Sequence, residues 1–491
     1  MKLNNILKKF KELSFFDTFK HASTYFSGTV LIHGLGVLTL PIFTAFLTTE
    51  EYGIINVFTS YISVVLVLVS FYAHGAINRY YFEKNVSDFA SFMGTLFVFI
   101  HVNFVVFGGL MYYNRAAIAQ LINLDQSLIL WMIAMSIITI YFYFYQQIMI
   151  ATKQSKAYTI VEVSWHYIKF GLTIVGFLLI STSILDNTTT NVYMGKIAGE
   201  FIATCLIVLY TTQKLFKYLS FNKMKWYHLR YTLRYSIPLI PFALSGFILN
   251  SFDQWYINAS VGQAEAGQYA FAYKIGMLFL GLITALLNGA QPEYFSFMNQ
   301  KKHQEVREQV SSISKLLVLG AGFLILFAVD IGTLLSSKKV FLEVLPLAPV
   351  IIAAYIFHGI SSLYHRGIYY KKKNHWLAII IIISGILNVL LNIYFINRYG
   401  YKAAAYTTMA SYFVMMLLSI LLTSFVLKLP PLPLVRILKY IVLLAFIISL
   451  NYIFGAPDTG LSLFWIFYKM ALFGLLGAVL FYNKLGIFFN K

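Results

Sequence analysis

WLAIIIIISGILNVLLNIYFIN, residues 376–397, decides the fold class. Its 22 residues contain no Asp, Glu, Lys, Arg or His, and they lie between the triplet Lys371, Lys372, Lys373 and Arg398. At about 1.5 Å of rise per residue, such a segment spans a hydrocarbon layer of about 30 Å as a helix. A helix also satisfies its own backbone polar groups where no water can. Comparable runs lie outward on both sides, near 22–46, 54–76, 93–113, 128–149, 158–182, 193–212, 237–259, 268–289, 313–335, 345–364, 403–427, 437–455 and 461–483. The sequence therefore predicts an all-α polytopic membrane protein of about fourteen spans.

The composition agrees. Of 491 residues, 59% are hydrophobic and 11% charged, against roughly 25% charged in soluble domains. The net charge of +19 reads as topology rather than nucleic-acid binding, because no basic helix or aromatic-basic platform stands clear of the apolar runs. Cys205 is the single cysteine, which excludes an internal disulfide framework and a multi-cysteine metal site. Residues 1–21 are basic and amphipathic, and read as an interfacial helix without a signal-peptide core.

Charge asymmetry orients the spans. With the N-terminus cytoplasmic, 28 of the 37 lysines and arginines fall on the cytoplasmic side, five on the outer side (Arg115, Lys338, Lys339, Arg398, Lys402), and four inside spans. That bias obeys the positive-inside rule and places both termini in the cytoplasm. The longest outer loop runs from about Asn114 to Gln126. The basic interval after the sixth span divides the chain into 22–212, a six-helix bundle; 213–236, a cytoplasmic linker; 237–427, a second six-helix bundle; and 428–491, two extra helices. Six is even, so a repeat between the bundles is parallel. EEYGIINVF and AEAGQYAF share Glu51/Glu265 and Gly53/Gly267 at one offset.

Ionisable residues inside lipid face a partner or a hydrated cavity. The candidates are Glu162, Lys169, Lys196, Glu200, Asp253 and Lys274, with His33 in the first span and Arg79 at the inner end of the second. Helical rise places Lys169 and Glu200 at similar depth, and likewise Asp253 and Lys274, so both pairs are expected to meet. Lys196 and Glu200 are also i,i+4 neighbours. The cations (Lys169, Lys274, Lys196, His33, Arg79) are candidate contacts for an anionic substrate; Glu162, Glu200 and Asp253 are candidates for ion pairing or proton coupling. The alternative reading of each pair is a bundle-orienting ion pair. Asp330 is expected to be solvated near an interface, and Lys469 lies outside both bundles. Pro41 and Pro241 are hinge candidates. No P-loop, H-E-x-x-H or Ser/His/Asp arrangement occurs, so the chain reads as a non-enzyme. No cofactor or metal is expected, and any uphill movement would draw on an ion gradient (H+ or Na+) or on downstream consumption of the substrate.

Five segments, taken together in order, resemble one family: LPIFTAFLTTEEYGIINVF (40–58), INRYYF (77–82), RYSIPLIPFALSGFILNSFDQWYI (234–257), AGQYAFAYKIG (266–276) and YGYKAAAYTTMASY (399–412). The resemblance is to bacterial polysaccharide-repeat-unit flippases of the multidrug/oligosaccharidyl-lipid/polysaccharide exporter superfamily, and covers spans 1–12. It implies two six-helix bundles around a cavity. It implies alternating-access transfer of an undecaprenyl-pyrophosphate-linked oligosaccharide to the outer leaflet for O-antigen (lipopolysaccharide), capsule or exopolysaccharide synthesis. It further implies residence in the bacterial inner membrane, beside a polymerase and glycosyltransferases. Gln254 follows Asp253 where relatives carry a basic residue, so the outer cavity is expected to be less cationic. The rival readings are a peptidoglycan-precursor flippase, a cation-coupled multidrug antiporter and, from another class, a polysaccharide polymerase or ligase. The last is disfavoured by the lack of a long outer loop.

Overall fold

The computed structural model describes residues 28, 31–32, 34–83, 88–181, 191–222, 224–454 and 462–489. The expected interfacial helix at 1–21 and His33 lie outside them. All regular structure among the described residues is helical. Among the described residues thirteen helices are long and apolar enough to cross a membrane, and a shorter apolar helix, α1 (Gly34–Phe46), precedes them. The chain divides into two compact units, one drawn from 1–47 and 54–244, the other from 48–53 and 245–491.

In the first unit α1 is followed by α2 (Thr49–Ser70), α3 (Gly75–Glu83), α4 (Phe89–Tyr113), α5 (Arg115–Ile122), α6 (Gln126–Ala151), α7 (Ser155–Ser181), α8 (Tyr193–Phe216) and α9 (Trp226–Ser236). The continuous second span expected at 54–76 is broken. Helix α2 stops at Ser70, and Phe71 and Tyr72 adopt left-handed φ values of 47° and 55° before α3 starts. Each such residue costs about 1–2 kcal/mol, and local bonds offset the loss. The Ser70 hydroxyl accepts the Tyr72 N–H at 3.2 Å, and the Ser70 carbonyl accepts the Ala73 N–H at 2.8 Å. Phe71 is held against Phe99 and Phe107.

The proline candidates are quieter. Helix α1 continues through Pro41, where the Thr44 hydroxyl donates to the Leu40 carbonyl at 3.0 Å. Pro241 falls in the first turn of α10 (Ile240–Ser260), after one 3-10 turn at Ile237–Leu239. First-turn amides have no helical acceptor, so that position tolerates proline.

Helix α9 is docked on α3 and α4. His228 is fully buried, with Nε2 2.8 Å from an Asp88 oxygen and Nδ1 3.1 Å from the Thr95 hydroxyl. Lys225 donates to Asp88 at 3.2 Å, and the Tyr231 hydroxyl to Glu83 at 2.8 Å. The His228 hydrogen bond, with Lys225 beside it, holds the Asp88 carboxyl below the usual carboxylate range.

The second unit contains α10 from Ser245 on, then α11 (Gln263–Asn299), α12 (His303–Leu326), α13 (Ala328–Leu335), α14 (Ala348–Tyr370), α15 (Asn374–Tyr399), α16 (Ala403–Leu421), α17 (Leu434–Ile453) and α18 (Leu463–Phe489). It also takes the start of α2, which Thr48 and Glu51 cap reciprocally. There α2 crosses α11 glycine on glycine. A Cβ on Gly53 would lie 2.1 Å from the Gln263 carbonyl, and one on Gly267 1.8 Å from the Thr49 carbonyl. The matched glycines of the sequence are thus one contact.

Helices α17 and α18 pack on α12 and on each other. Contrary to the expectation from sequence, Asp330 is not solvated: it is 4% exposed and accepts from Lys469 at 2.6 Å, tying α13 to α18. Placing Asp330 by its distance from a loop ignored the helix that covers it.

Candidate functional site

The charged site of the first unit is built by glycine. Helices α7 and α8 run antiparallel so closely that a Cβ on Gly176 would meet the Gly195 carbonyl at 2.3 Å, and one on Gly199 the Leu172 backbone at 2.7 Å. Gly195 and Gly199 form a G-x-x-x-G pair (GKIAG, 195–199), the pattern that lets membrane helices approach backbone to backbone. This close approach brings three charges together. Lys169 of α7 lies 3.6 Å from one Glu200 oxygen, and Lys196 of α8 lies 3.1 Å from the other. The expected pairing of Lys169 with Glu200 is present, and Lys196 joins it rather than competing on a separate face.

Neighbouring groups fix the geometry. The Trp165 ring lies 4.5 Å from the Lys169 ammonium, and its indole N–H donates to the Thr204 hydroxyl at 3.0 Å. Thr204 in turn donates to the Glu200 carbonyl at 2.7 Å. Glu162, two turns before Lys169, accepts from Gln146, and His166 Nδ1 lies 3.9 Å from its other oxygen. Lys196 is nearly dry, with 8% side-chain exposure, while Lys169 keeps 22%. The triad therefore has two cations for one anion, and the more accessible cation is Lys169.

The second unit gathers a different cluster. Asp253 of α10, 1% exposed, accepts from the Tyr269 hydroxyl at 2.6 Å, the Thr408 hydroxyl at 3.4 Å and the Gln254 N–H at 2.9 Å. Thr408 accepts from Asn388 at 3.5 Å, Asn388 accepts from Asn392 at 3.1 Å, and Asn392 accepts from Thr407. Lys274 is not among Asp253's partners, contrary to the pairing expected from depth; it lies exposed on α11. The reason is azimuth. Tyr269 and Lys274 are five residues apart, about 140° around a helix of 3.6 residues per turn, so only one can face Asp253.

Arg79 is exposed in the middle of α3, paired with Glu83 at 2.7 Å and 4.9 Å from the Tyr235 ring centre. It is not brought to the triad by any contact. Arg366, two residues beyond the apolar run at 345–364, is buried in α14. The sequence reading missed the G-x-x-x-G pair, which was visible as a spacing. It also missed Tyr269, Thr408, Asn388 and Asn392, whose i,i+4 amides at 388 and 392 on a long apolar run were the available signal. No group of three or more His, Cys, Asp or Glu that could hold a metal ion occurs among the described residues.

The fold recurs in known structures. A lipid II flippase, MurJ, in an inward closed conformation superposes with a TM-score of 0.70 at 16% identity, covering 95% of this chain and 100% of that one. An inward-facing multidrug resistance MATE family transporter of the MOP superfamily gives 0.62 at 12% identity, over 82% of this chain and 94% of its own. A MOP superfamily transporter from Pyrococcus furiosus gives 0.55 at 13%, over 83% and 96%. At these identities the likeness is of fold, and it defines the class: a multi-pass helical membrane protein with the architecture of flippases and exporters. The polysaccharide biosynthesis protein family matches residues 19–292, more than half of the chain, and the chain belongs to that family. Lsg locus protein 1 of Haemophilus influenzae is 24% identical over 292 residues, 58% of this chain and 67% of its own length.

Proposed function

We propose that this protein flips an undecaprenyl-pyrophosphate-linked oligosaccharide repeat unit to the outer leaflet by alternating access, for synthesis of O-antigen, capsule or a related surface polysaccharide. Its setting in this reading is the bacterial inner membrane, with both termini cytoplasmic and with polymerase and glycosyltransferases as partners. One observation carries the reading. A member of a polysaccharide biosynthesis family holds, inside its helices, a triad with one more cation than anion and its freer lysine partly accessible. An anionic pyrophosphate crossing hydrocarbon needs a cation at intermediate depth, and an excess charge that is partly in reach can supply one. The rival fold-mates, a peptidoglycan-precursor flippase and a multidrug antiporter, share the architecture, but family membership favours the polysaccharide precursor. A polymerase or ligase would need chemistry that neither cluster offers.

Coupling to H+ or Na+ is assigned in the same proposal to Asp253. Its carboxylate, surrounded by hydroxyl and amide groups and without a cation among its partners, suits a proton or a small cation.

The test is complementation of a strain lacking its repeat-unit flippase, scored by surface polysaccharide. Lys169→Ala should reduce export about 10-fold or more while Lys169→Arg retains part of it. Asp253→Asn should leave the protein inserted but abolish the response of export to the ion gradient. Full export by Lys169→Ala would end the substrate role of the triad, and an intact gradient response in Asp253→Asn would end the coupling role.

A further inference from the structure

A cation outside both clusters is not accounted for by the transport proposal. Arg366 of α14 is 2% exposed. Its Nη2 donates to the Leu287 carbonyl of α11 at 2.7 Å, whereas Nε and Nη1 are buried with no hydrogen-bond partner. No carboxylate lies within ion-pair reach of it among the described residues. Its guanidinium lies 5.6 Å from the ring centre of Tyr294, itself 3% exposed. The Tyr294 hydroxyl makes no hydrogen bond to the described residues either.

A structural role alone explains only one of these donors. Helix α11 continues through Pro292, which removes a helical amide in the next turn. Arg366 and Gln309, which reaches the Ala290 carbonyl at 3.2 Å, brace that stretch. A lysine or glutamine would brace it as well without leaving two guanidinium nitrogens dry. Buried donors to a charged group are ordinarily satisfied.

We infer that Arg366 and Tyr294 form a binding site for a phosphate oxyanion. Depth supports phosphate as the class. Arg366 lies four residues, about 6 Å of helical rise, before the end of α14, where the exposed Lys371, Lys372 and Lys373 begin. That is the level at which headgroup phosphates meet a basic protein edge. The half-exposed Leu429 stands beside Gly367, where an added Cβ would lie 2.5 Å from it and 3.5 Å from the Tyr294 hydroxyl. The exposed Lys428 precedes it. The phosphate can come from a bilayer lipid or from a soluble phosphate.

The test uses the full-length protein in nanodiscs and reads apparent affinity from the rise in melting temperature as anion is added. One arm raises phosphatidylglycerol in phosphatidylcholine discs; the other adds inorganic pyrophosphate to discs of phosphatidylcholine alone. Wild-type protein should be stabilised in at least one arm. The affinity should be about tenfold weaker in Arg366→Gln, the loss expected for a charged hydrogen-bond donor, and also weaker in Tyr294→Phe. The tyrosine variant keeps its ring and its packing, so it reads the site even if Arg366→Gln folds poorly. The surface lysines are common to all three proteins and cancel in the comparison. A response to phosphatidylglycerol alone identifies a lipid headgroup, a response to pyrophosphate identifies a soluble group, and either upholds the site. No response in either arm, or the same response in wild type and both variants, overturns it.

Discussion

The two units put polar groups into their helices in opposite ways. In the first, α7 and α8 approach backbone to backbone at Gly176 and Gly195 and enclose an ionic triad, Lys169, Glu200 and Lys196. In the second, α10, α11, α15 and α16 enclose one carboxyl, Asp253, in a neutral net of Tyr269, Thr408, Asn388 and Asn392. Charge in a poorly solvated place needs either a counter-charge or several hydrogen bonds to the charged form, and each unit uses one remedy. The difference has consequences. An ionic triad has a fixed net charge and can attract an ion of opposite sign, whereas a lone acid among hydroxyls can change its own charge by gaining or losing a cation.

The largest effect should come from breaking the triad at its single anion. Glu200→Gln leaves two lysines close together and poorly solvated without a counter-charge, a loss of about 3–5 kcal/mol for an uncompensated buried charge. Thermal melting of the purified protein should show a collapse in stability or in membrane yield. Lys196→Met in the same background should restore about half of it, since one cation then remains with the partial access of Lys169. A Glu200→Gln protein as stable as wild type would mean that water, rather than Glu200, balances the lysines, and the contrast between the units would fail.

Helix spacing offers a second, smaller test. A Cβ on Gly195 would lie 2.7 Å from the Gly176 backbone, whereas one on Gly385 of α15, near the Asp253 net, meets its nearest neighbour at an ordinary 3.6 Å. Gly195→Ala should therefore destabilise by about 1–3 kcal/mol or more through overpacking, because backbone cannot turn aside. Gly385→Ala should change stability by less than about 1 kcal/mol, with a slight gain in helix propensity. Equal melting temperatures for the two variants would show that α7 and α8 can part without loss.

Much of this was legible in the sequence, and what was not has a common cause. Long apolar runs fixed the spans because lipid permits few alternatives, and thirteen of the fourteen runs correspond to helices of spanning length. Depth along a helix followed from counting, so Lys169 and Glu200 were rightly matched. Rotation about the helix axis did not follow, since it depends on which face each neighbour covers. Hence Asp253 was matched to Lys274 rather than Tyr269, and Asp330 to solvent rather than Lys469. The break at Phe71 and Tyr72 was hidden for another reason. Two aromatic residues carry no turn signal; Phe71 is held against Phe99 and Phe107 of α4, and Tyr72 against His74.

At the edge of the first unit a third arrangement tests how far burial governs these contrasts. Asp88 has a cationic partner as Glu200 does, but it lies outside the spans, where water screens the pair. Its folded carboxyl is held below the usual carboxylate range, chiefly by the His228 hydrogen bond and then by Lys225. A depressed folded value means that the unfolded chain binds the proton more readily. The contribution is therefore complete above the unfolded value, about 3.9, and is lost as pH falls below it through the folded value. Wild-type protein should lose stability over that acid interval, and Asp88→Asn should lose less, the difference staying below about 1 kcal/mol as for other solvent-screened pairs. Melting temperatures of the two proteins from pH 7 downward will show it. A curve for Asp88→Asn parallel to that of the wild type would mean that α9 is held by the packing of His228 and Tyr231 alone, and that the ionic contact at this edge does no more than fill space.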